Sequence, residues 1–289
     1  MKRKRLIIFG VIVIVLIFIY PHIKPFGVGV YVLINKIFFV LHHNSIAVIP
    51  TKYNLPITKS AAPRDEQGEF YGATPQNSVA KDSVVIPDNF LLNVSFTSQA
   101  PFGVWDPVHN DACEEAALVM TKYWVSGHAL NAIIADKEIL DAMAWEAKTW
   151  GAQYELTAAR MAVIGKDFFG LNNIKVALNP TIDDIKSQLS QGNLILVPVA
   201  GRLLGNPYYR QPGPIYHILV IKGYNEQEFI TNDAGTRRGE GYRYSYQTLF
   251  NAIHNWPYLA PDFGINIVKD IQAQKILTGQ RAMLIISKN

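Results

Sequence analysis

The chain has 289 residues, enough for one sizeable domain and an appendage, with 49% apolar and 17% charged residues. Its net charge of +4 comes wholly from Lys2, Arg3, Lys4 and Arg5, because the 23 basic residues left over balance the 23 acidic ones. A neutral body gives no electrostatic ground for binding nucleic acid. A single cysteine excludes an internal disulfide and a thiolate-rich metal centre. The sequence has no paired-histidine helix motif and no Gly-rich loop opening a helix, so neither a metal nor another cofactor is expected.

The four cations stand directly before Leu6–Tyr20, an uncharged apolar run. As a helix this run spans roughly 22 Å, short of a hydrocarbon core of about 30 Å. Pro21-His-Ile-Lys-Pro25 offers no small-x-small cleavage site. The pattern therefore reads as an uncleaved signal anchor over 1–21, single-pass, with the positive end in the cytoplasm and the remainder on the extracytoplasmic side. Phe26–Leu41 is also apolar, but Asn35 and Lys36 interrupt it and Gly27 and Gly29 weaken it as a helix. It reads as an amphipathic segment lying on the membrane; as a second span it would return the C-terminal domain to the cytoplasm. Pro50, Pro56, Pro63, Pro75 and Pro87 punctuate the polar stretch from His42 to Asp88. The chain thus divides into an anchor over 1–21, a membrane-proximal apolar segment and Pro-rich linker over 22–89, and a folded domain over 90–289.

Within that domain, Leu91–Phe96 has strand character. Cys113, Ala117, Met120 and Trp124 recur at the spacing of one buried helical face, so a helix runs from Cys113 to about Val125 with Asp111 as its N-cap. Further helices are expected at Lys137–Thr149, Thr157–Phe169 and Thr181–Ser190, the last opened by Thr181 with Asp184 three residues on. Strands follow at Asn193–Ala200, Ile215–Ile221, Glu228–Thr231, Gly241–Tyr246 and Ala282–Ile286, with a short helix at Thr248–Ile253. Pro198 points to an edge or a strand end. Helices first and strands after give an α+β fold with an antiparallel sheet.

A lone cysteine with work beyond packing is a nucleophile, and a helix N-terminus lowers a thiol pKa. It needs a base and a group to orient that base. Four histidines lie outside the membrane-proximal region: His109, His128, His217 and His254. His217 is the best placed, at the start of a strand after the Gly/Pro-rich loop Gly201–Pro214. The turn around Asn225 then returns the chain through Asn232 and Asp233. His217 stands eight residues before Asn225 and Asp233 eight after, at the same end of an antiparallel hairpin. Asp233 is the expected orienter, with Asn232 as the alternative. His109 reads as a loop residue or a substrate contact. The tyrosines at 208, 209, 216, 242, 244 and 246 read as half-exposed sheet residues or as a groove lining.

Three blocks in order, Gln99-Ala-Pro-Phe-Gly-x-Trp-Asp-Pro through Cys113-Glu-Glu-Ala, His217-Ile-Leu-Val-Ile-x-Gly-Tyr, and Asn232-Asp233-x-Gly-Thr-Arg-Arg-Gly, resemble the papain-like cysteine peptidases. The likeness is to the bacterial branch similar to the double-glycine leader peptidases of bacteriocin exporters. It implies a papain-like fold, with N-terminal helices packed on an antiparallel sheet. It also implies a catalytic triad of Cys113, His217 and Asp233, with Gln99 helping to form the oxyanion hole, and a peptide or protein substrate. The chain departs from the pattern in two places. Fourteen positions separate Gln99 from Cys113, and Glu114 stands where the exporter peptidases commonly have glycine. No ATPase or multi-span transporter follows, so leader processing does not carry over. Two other classes fit the same residues: a cleft that binds a peptide or envelope polymer without turnover, and a transpeptidase or transamidase passing a thioester to an amine.

Overall fold

The computed structural model describes residues 86–151, 155–257 and 273–288. All belong to one compact unit of the chain, Ala61–Asn289. The anchor expected over 1–21 and almost all of the segment expected over 22–89 lie outside the described residues. Among the described residues no helix is long and apolar enough to cross a membrane.

Three helices lead the domain. α1 (Cys113–Ser126) is buried on nearly every side of its first half, so apolar and small residues fill positions 116–120 rather than a single stripe. α2 (Ala132–Trp150) starts five residues before the expected Lys137, because the Asn131 side chain caps it by accepting from the Ile134 N–H. α3 (Ala158–Asp167) lies within the expected Thr157–Phe169, and Thr157 is its N-cap, its side chain accepting from the Arg160 N–H. The N-cap of α1, however, is Ala112 and no side chain caps it; Asp111 lies one residue too early, in a 3-10 turn over His109–Asp111.

The sheet is antiparallel at every described pairing. Besides β1 (Phe90–Leu91), its strands are β2 (Ile174–Leu178), β3 (Leu194–Val199), β4 (His217–Tyr224), β5 (Glu228–Asp233), β6 (Tyr242–Ser245) and β7 (Ala282–Ile286). The order is β2-β7-β3-β4-β5-β6, with β1 pairing the far end of β4. α4 (Ile182–Ser190), opened by a full Thr181/Asp184 capping box, and α5 (Tyr246–Ala252) complete the fold. The sequence reading missed β2, which breaks the helices-then-strands order by entering between α3 and α4 and pairing with β7. It also overstated the first strand. Leu92 still donates to the Lys222 carbonyl, but 92–96 then leave the sheet.

Both faces of the sheet are covered. Leu194, Leu196, Ile218, Val220 and Leu284 pack with α1, α2 and α3. Ile195, Val197, Val199, Leu219 and Ile221 pack with α4 and α5. A strand buried on both faces has no polar side to show, which is why 194–199 reads as an unbroken apolar run. Pro198 fits near the end of this strand because β7 has already left β3 at Leu196. The Pro198 carbonyl accepts from His254 N–H on that vacated side, so its missing N–H removes no rung to β4.

Two carboxyls lie between α1 and α2. Glu115 is 1% exposed and Glu146 fully buried. Burial, and then the neighbouring Glu146 charge, hold the Glu115 carboxyl well above its ordinary range. The folded chain therefore keeps a proton that the unfolded chain loses, and stability falls as pH rises from the ordinary carboxylate range through Glu115's folded value. Glu115→Gln removes that titration while keeping the shape. The thermal midpoint at pH 8 should rise by roughly 2–4 °C, with no gain at pH 4. Equal midpoints at pH 8, read by circular dichroism, would contradict this.

Candidate active site

β4 and β5 form the hairpin that carries His217 and Asp233. Their register is Tyr224↔Phe229 and Gly223↔Ile230 near the turn, then Ile221↔Thr231, Val220↔Asn232 and Leu219↔Asp233 beyond it. Lys222 is thus one extra residue on β4, a β-bulge. The bulge decides which side chain meets the imidazole. Carried on without it, the register at the turn would put Asn232 on the His217 face and Asp233 on the opposite one. With it, Asp233 faces Leu219 and is the diagonal neighbour of His217 on the same face. Asn232 turns away and pins the segment before Gln99, donating to the Val94 and Ser95 carbonyls and accepting from Gly241 N–H.

His217 Nε2 lies 2.8 Å from Asp233 Oδ1, with His217 1% exposed and Asp233 fully buried. Oδ1 also accepts from the Gly235 N–H at 3.0 Å. Oδ2 accepts from Tyr209 and Tyr244 hydroxyls, both at 2.6 Å, and from Asn206 Nδ2 at 3.1 Å. Burial pushes the Asp233 pKa up. The His217 charge and the donated hydrogen bonds outweigh it and hold the carboxyl below its usual range. The same burial beside Asp233 pushes the Tyr209 and Tyr244 hydroxyls up, so both remain donors. With Nε2 occupied, Nδ1 is the ring nitrogen left for another partner. Gly235 supports the ring from below: a Cβ there would lie 2.9 Å from His217 Cε1.

Cys113 begins α1 and lines, with His217 and Gln99, a cleft of about 1120 Å³. Its thiol is 5% exposed and donates to Glu114 Oε2 at 2.8 Å rather than to His217. Glu114 Oε1 in turn accepts from the Leu156 N–H, and Tyr216 donates to the Leu156 carbonyl. Burial first, then the Glu114 and Glu155 charges, push the thiol well above its ordinary value. This corrects the expectation that the helix N-terminus lowers it: the nearest charges are carboxyls.

Gln99 reaches the cleft because its backbone N–H donates to the Ala234 carbonyl beside Asp233. Its Nε2 donates to the His109 and Asn110 carbonyls, at 2.8 and 2.9 Å, and its buried Oε1 has no partner among the described residues. Both amide hydrogens are engaged, so in this conformation the side chain offers an acceptor. His109 is a clamp: Nδ1 lies 2.8 Å from Asp106 and Nε2 3.0 Å from Asp136 of α2, fixing the loop that leads into Cys113. Burial lowers its pKa, but the hydrogen bonds and charges of Asp136 and Asp106 outweigh it and raise the ring above its ordinary value. His128 is exposed after α1, and His254 lies against the Gly279 carbonyl. Tyr209, Tyr216 and Tyr244 are buried rather than half-exposed. Tyr208, Tyr209 and Tyr216 line the cleft; Tyr242, Tyr244 and Tyr246 do not.

The sequence reading missed Asn206 and the roles of Tyr209 and Tyr244 around Asp233. It also missed Glu114 as the partner of the thiol, although that residue's departure from the family pattern was the available signal. Among the described residues, no cluster of three or more His, Cys, Asp or Glu could hold a metal ion. Glu114→Gln leaves an acceptor for the thiol but removes the charge, so alkylation of Cys113 by iodoacetamide at pH 7.5 should speed by roughly tenfold. Its pH midpoint should move down, and an unchanged midpoint would show that Glu114 does not set the thiol's ionisation.

No curated protein matches this sequence. A crystal structure from Bacillus anthracis described as a C39-like peptidase superposes with a TM-score of 0.44 and 13% identity, over 70% of this chain and 100% of that one. The sequence profile of the Peptidase_C39 like family matches residues 91–261, more than half of the chain and all of the stretch from Gln99 to Asp233. The chain belongs to the Peptidase_C39 like family and is a papain-like, cysteine-type peptidase.

Proposed function

We propose that the protein hydrolyses peptide bonds through Cys113, His217 and Asp233 by way of a thioester, in a domain held outside the cytoplasm by an N-terminal anchor. The observation that carries this reading is the buried His217–Asp233 pair at 2.8 Å, in the cleft that also holds the chain's single thiol. Asp233 fixes the imidazole through Nε2 and leaves Nδ1 for the nucleophile. Nδ1 takes the proton from Sγ as sulfur bonds to the substrate carbonyl carbon, and the carbonyl π pair moves to oxygen. The Cys113 backbone N–H, in the first turn of α1 where no helical acceptor exists, faces that oxyanion. Gln99 joins it once Nε2 releases the Asn110 carbonyl. The intermediate collapses, the C–N bond breaks, and Nδ1–H protonates the leaving amine. Water then attacks the thioester, giving its proton to Nδ1; the C–S bond breaks and the thiol is restored.

One observation favours a second reading, in which the cleft holds peptides without turning them over: at rest the thiol bonds to Glu114 and not to His217. Cys113→Ala separates the two. Hydrolysis of an unbiased peptide library should fall by roughly 10⁴-fold or more, together with loss of labelling by a thiol-directed electrophile at that position. Hydrolysis that survives the substitution rejects the triad.

The membrane tether rests on the cationic and apolar order of Lys2–Tyr20. Protease added outside spheroplasts that express the full chain should digest the domain without lysis. Protection until lysis would instead favour two spans and a cytoplasmic domain.

A further inference from the structure

The chain beyond its first five residues is balanced in charge, yet the cleft is not. Arg202, Arg210, Arg237 and Arg238 all line it. They come from two separate loops on the sheet side, Arg202 and Arg210 between β3 and β4, and Arg237 and Arg238 between β5 and β6. The acidic lining residues are Asp111 and Glu155, next to α1 and before α3. Burial, then the Glu114 charge, push the Glu155 carboxyl well above its ordinary range, and in any protonation state the lining sets four guanidinium groups against at most two carboxylates.

None of the four arginines is in an ion pair among the described residues. Arg202 carries its Nε into a buried position without a hydrogen-bond partner among the described residues. The Arg238 guanidinium stacks over the Tyr208 ring at 4.8 Å, and Tyr208 is itself 45% exposed. Stacking fixes the plane of the guanidinium and leaves its edge N–H groups open to a ligand. Arg237 lies against Gly103, where an added Cβ would stand 3.4 Å from Nη1, so this side chain packs against the loop between Gln99 and Cys113. Four guanidinium groups with no ion pair among the described residues line one cleft and repel each other, and an anionic ligand relieves the repulsion. The donor type narrows the anion, because the guanidinium fork matches a carboxylate with two parallel bonds. The cleft volume of about 1120 Å³ exceeds the roughly 300–1,000 Å³ of small-molecule sites and suits an extended peptide.

We infer that the cleft selects acidic peptides, with Asp or Glu side chains within a few residues of the scissile bond held by Arg202, Arg210, Arg237 and Arg238. This rests on the peptidase reading for turnover but not for binding. The test uses a set of dye-labelled octapeptides with Asp or Glu fixed at one position at a time, beside matched Asn or Gln peptides. Binding is read by fluorescence anisotropy on full-length Cys113→Ala protein, and hydrolysis on the wild type. At the best position the acidic peptide should bind about ten- to thirtyfold tighter than its amide counterpart. The ratio should shrink when salt is raised to about 0.5 M. Arg237→Gln with Arg238→Gln should cut it severalfold, while Arg237→Lys with Arg238→Lys should retain part of it. A ratio near one in every position overturns the inference, as does a ratio that the double glutamine variant leaves intact. Preferential binding without hydrolysis of any peptide leaves the acidic preference standing and overturns the catalytic reading instead. Hydrolysis without preference does the reverse.

Discussion

Asp233 has no access to solvent and is held ionised, a state that is tolerable only when its lone pairs are met. Five donors meet them: His217, Gly235, Asn206, Tyr209 and Tyr244. They come from β4, the turn after β5, the loop after β3, and β6. One carboxylate therefore ties four parts of the chain to the imidazole, and leaving any donor unsatisfied would cost about 1–3 kcal/mol. The arrangement also explains a carboxylate where an amide would seem an adequate acceptor. An amide nitrogen at the Oδ2 position would confront Asn206 Nδ2, and Asn206 is kept from flipping to present its oxygen because Oδ1 accepts from the Tyr208 N–H.

The same demand fixes the turn after β5. The Asp233 N–H donates to the Gly239 carbonyl, so the chain from 233 to 239 closes on itself. A Cβ at Gly239 would lie 1.8 Å from the Asp233 carbonyl oxygen, and one at Gly235 would press on the His217 ring. Two glycines are needed for steric room. Neither has a positive φ, so conformational freedom is not the reason. Packing under the imidazole, rather than turn type, sets this part of the sequence.

What could be read from the sequence was local. Thr181 with Asp184 announces its helix, the 113–124 spacing announces a buried helix, and the turn at Asn225 brings His217 and Asp233 to one end of a hairpin. Each depends on residues within a few positions of one another. What could not be read depends on pairing at a distance. Counting outward from Asn225 ignores the bulge at Lys222, and one inserted residue exchanges the faces of Asn232 and Asp233. Ile174–Leu178 has a strand's alternation, with Lys175 outward between Ile174 and Val176, yet it becomes a strand only because β7 returns a hundred residues later. Leu91–Phe96 has the composition of a strand and lacks a partner beyond Leu92. Asn131 was legible and was missed, three residues ahead of the N–H that it caps.

The thiol shows most clearly why local argument fails at a site. A helix N-terminus stabilises a nearby anion by about 0.3–1 kcal/mol, up to roughly 2 when partly buried. Full burial shifts an ionisable group by up to about 3–5 pKa units, and each unit is about 1.4 kcal/mol. The second effect is the larger, and the Glu114 and Glu155 carboxyls act in the same direction. The resting site therefore keeps the proton on sulfur. In the proposed mechanism this places the proton destined for the leaving amine on Cys113 from the outset, bonded to Glu114. The first event after binding is then the transfer of the thiol from Glu114 to His217 Nδ1. Glu114 cannot easily follow it, because its other oxygen is held by the Leu156 N–H. In that mechanism the anchorage gives the first residue after the cysteine a task glycine could not perform: it sets when the sulfur becomes a nucleophile.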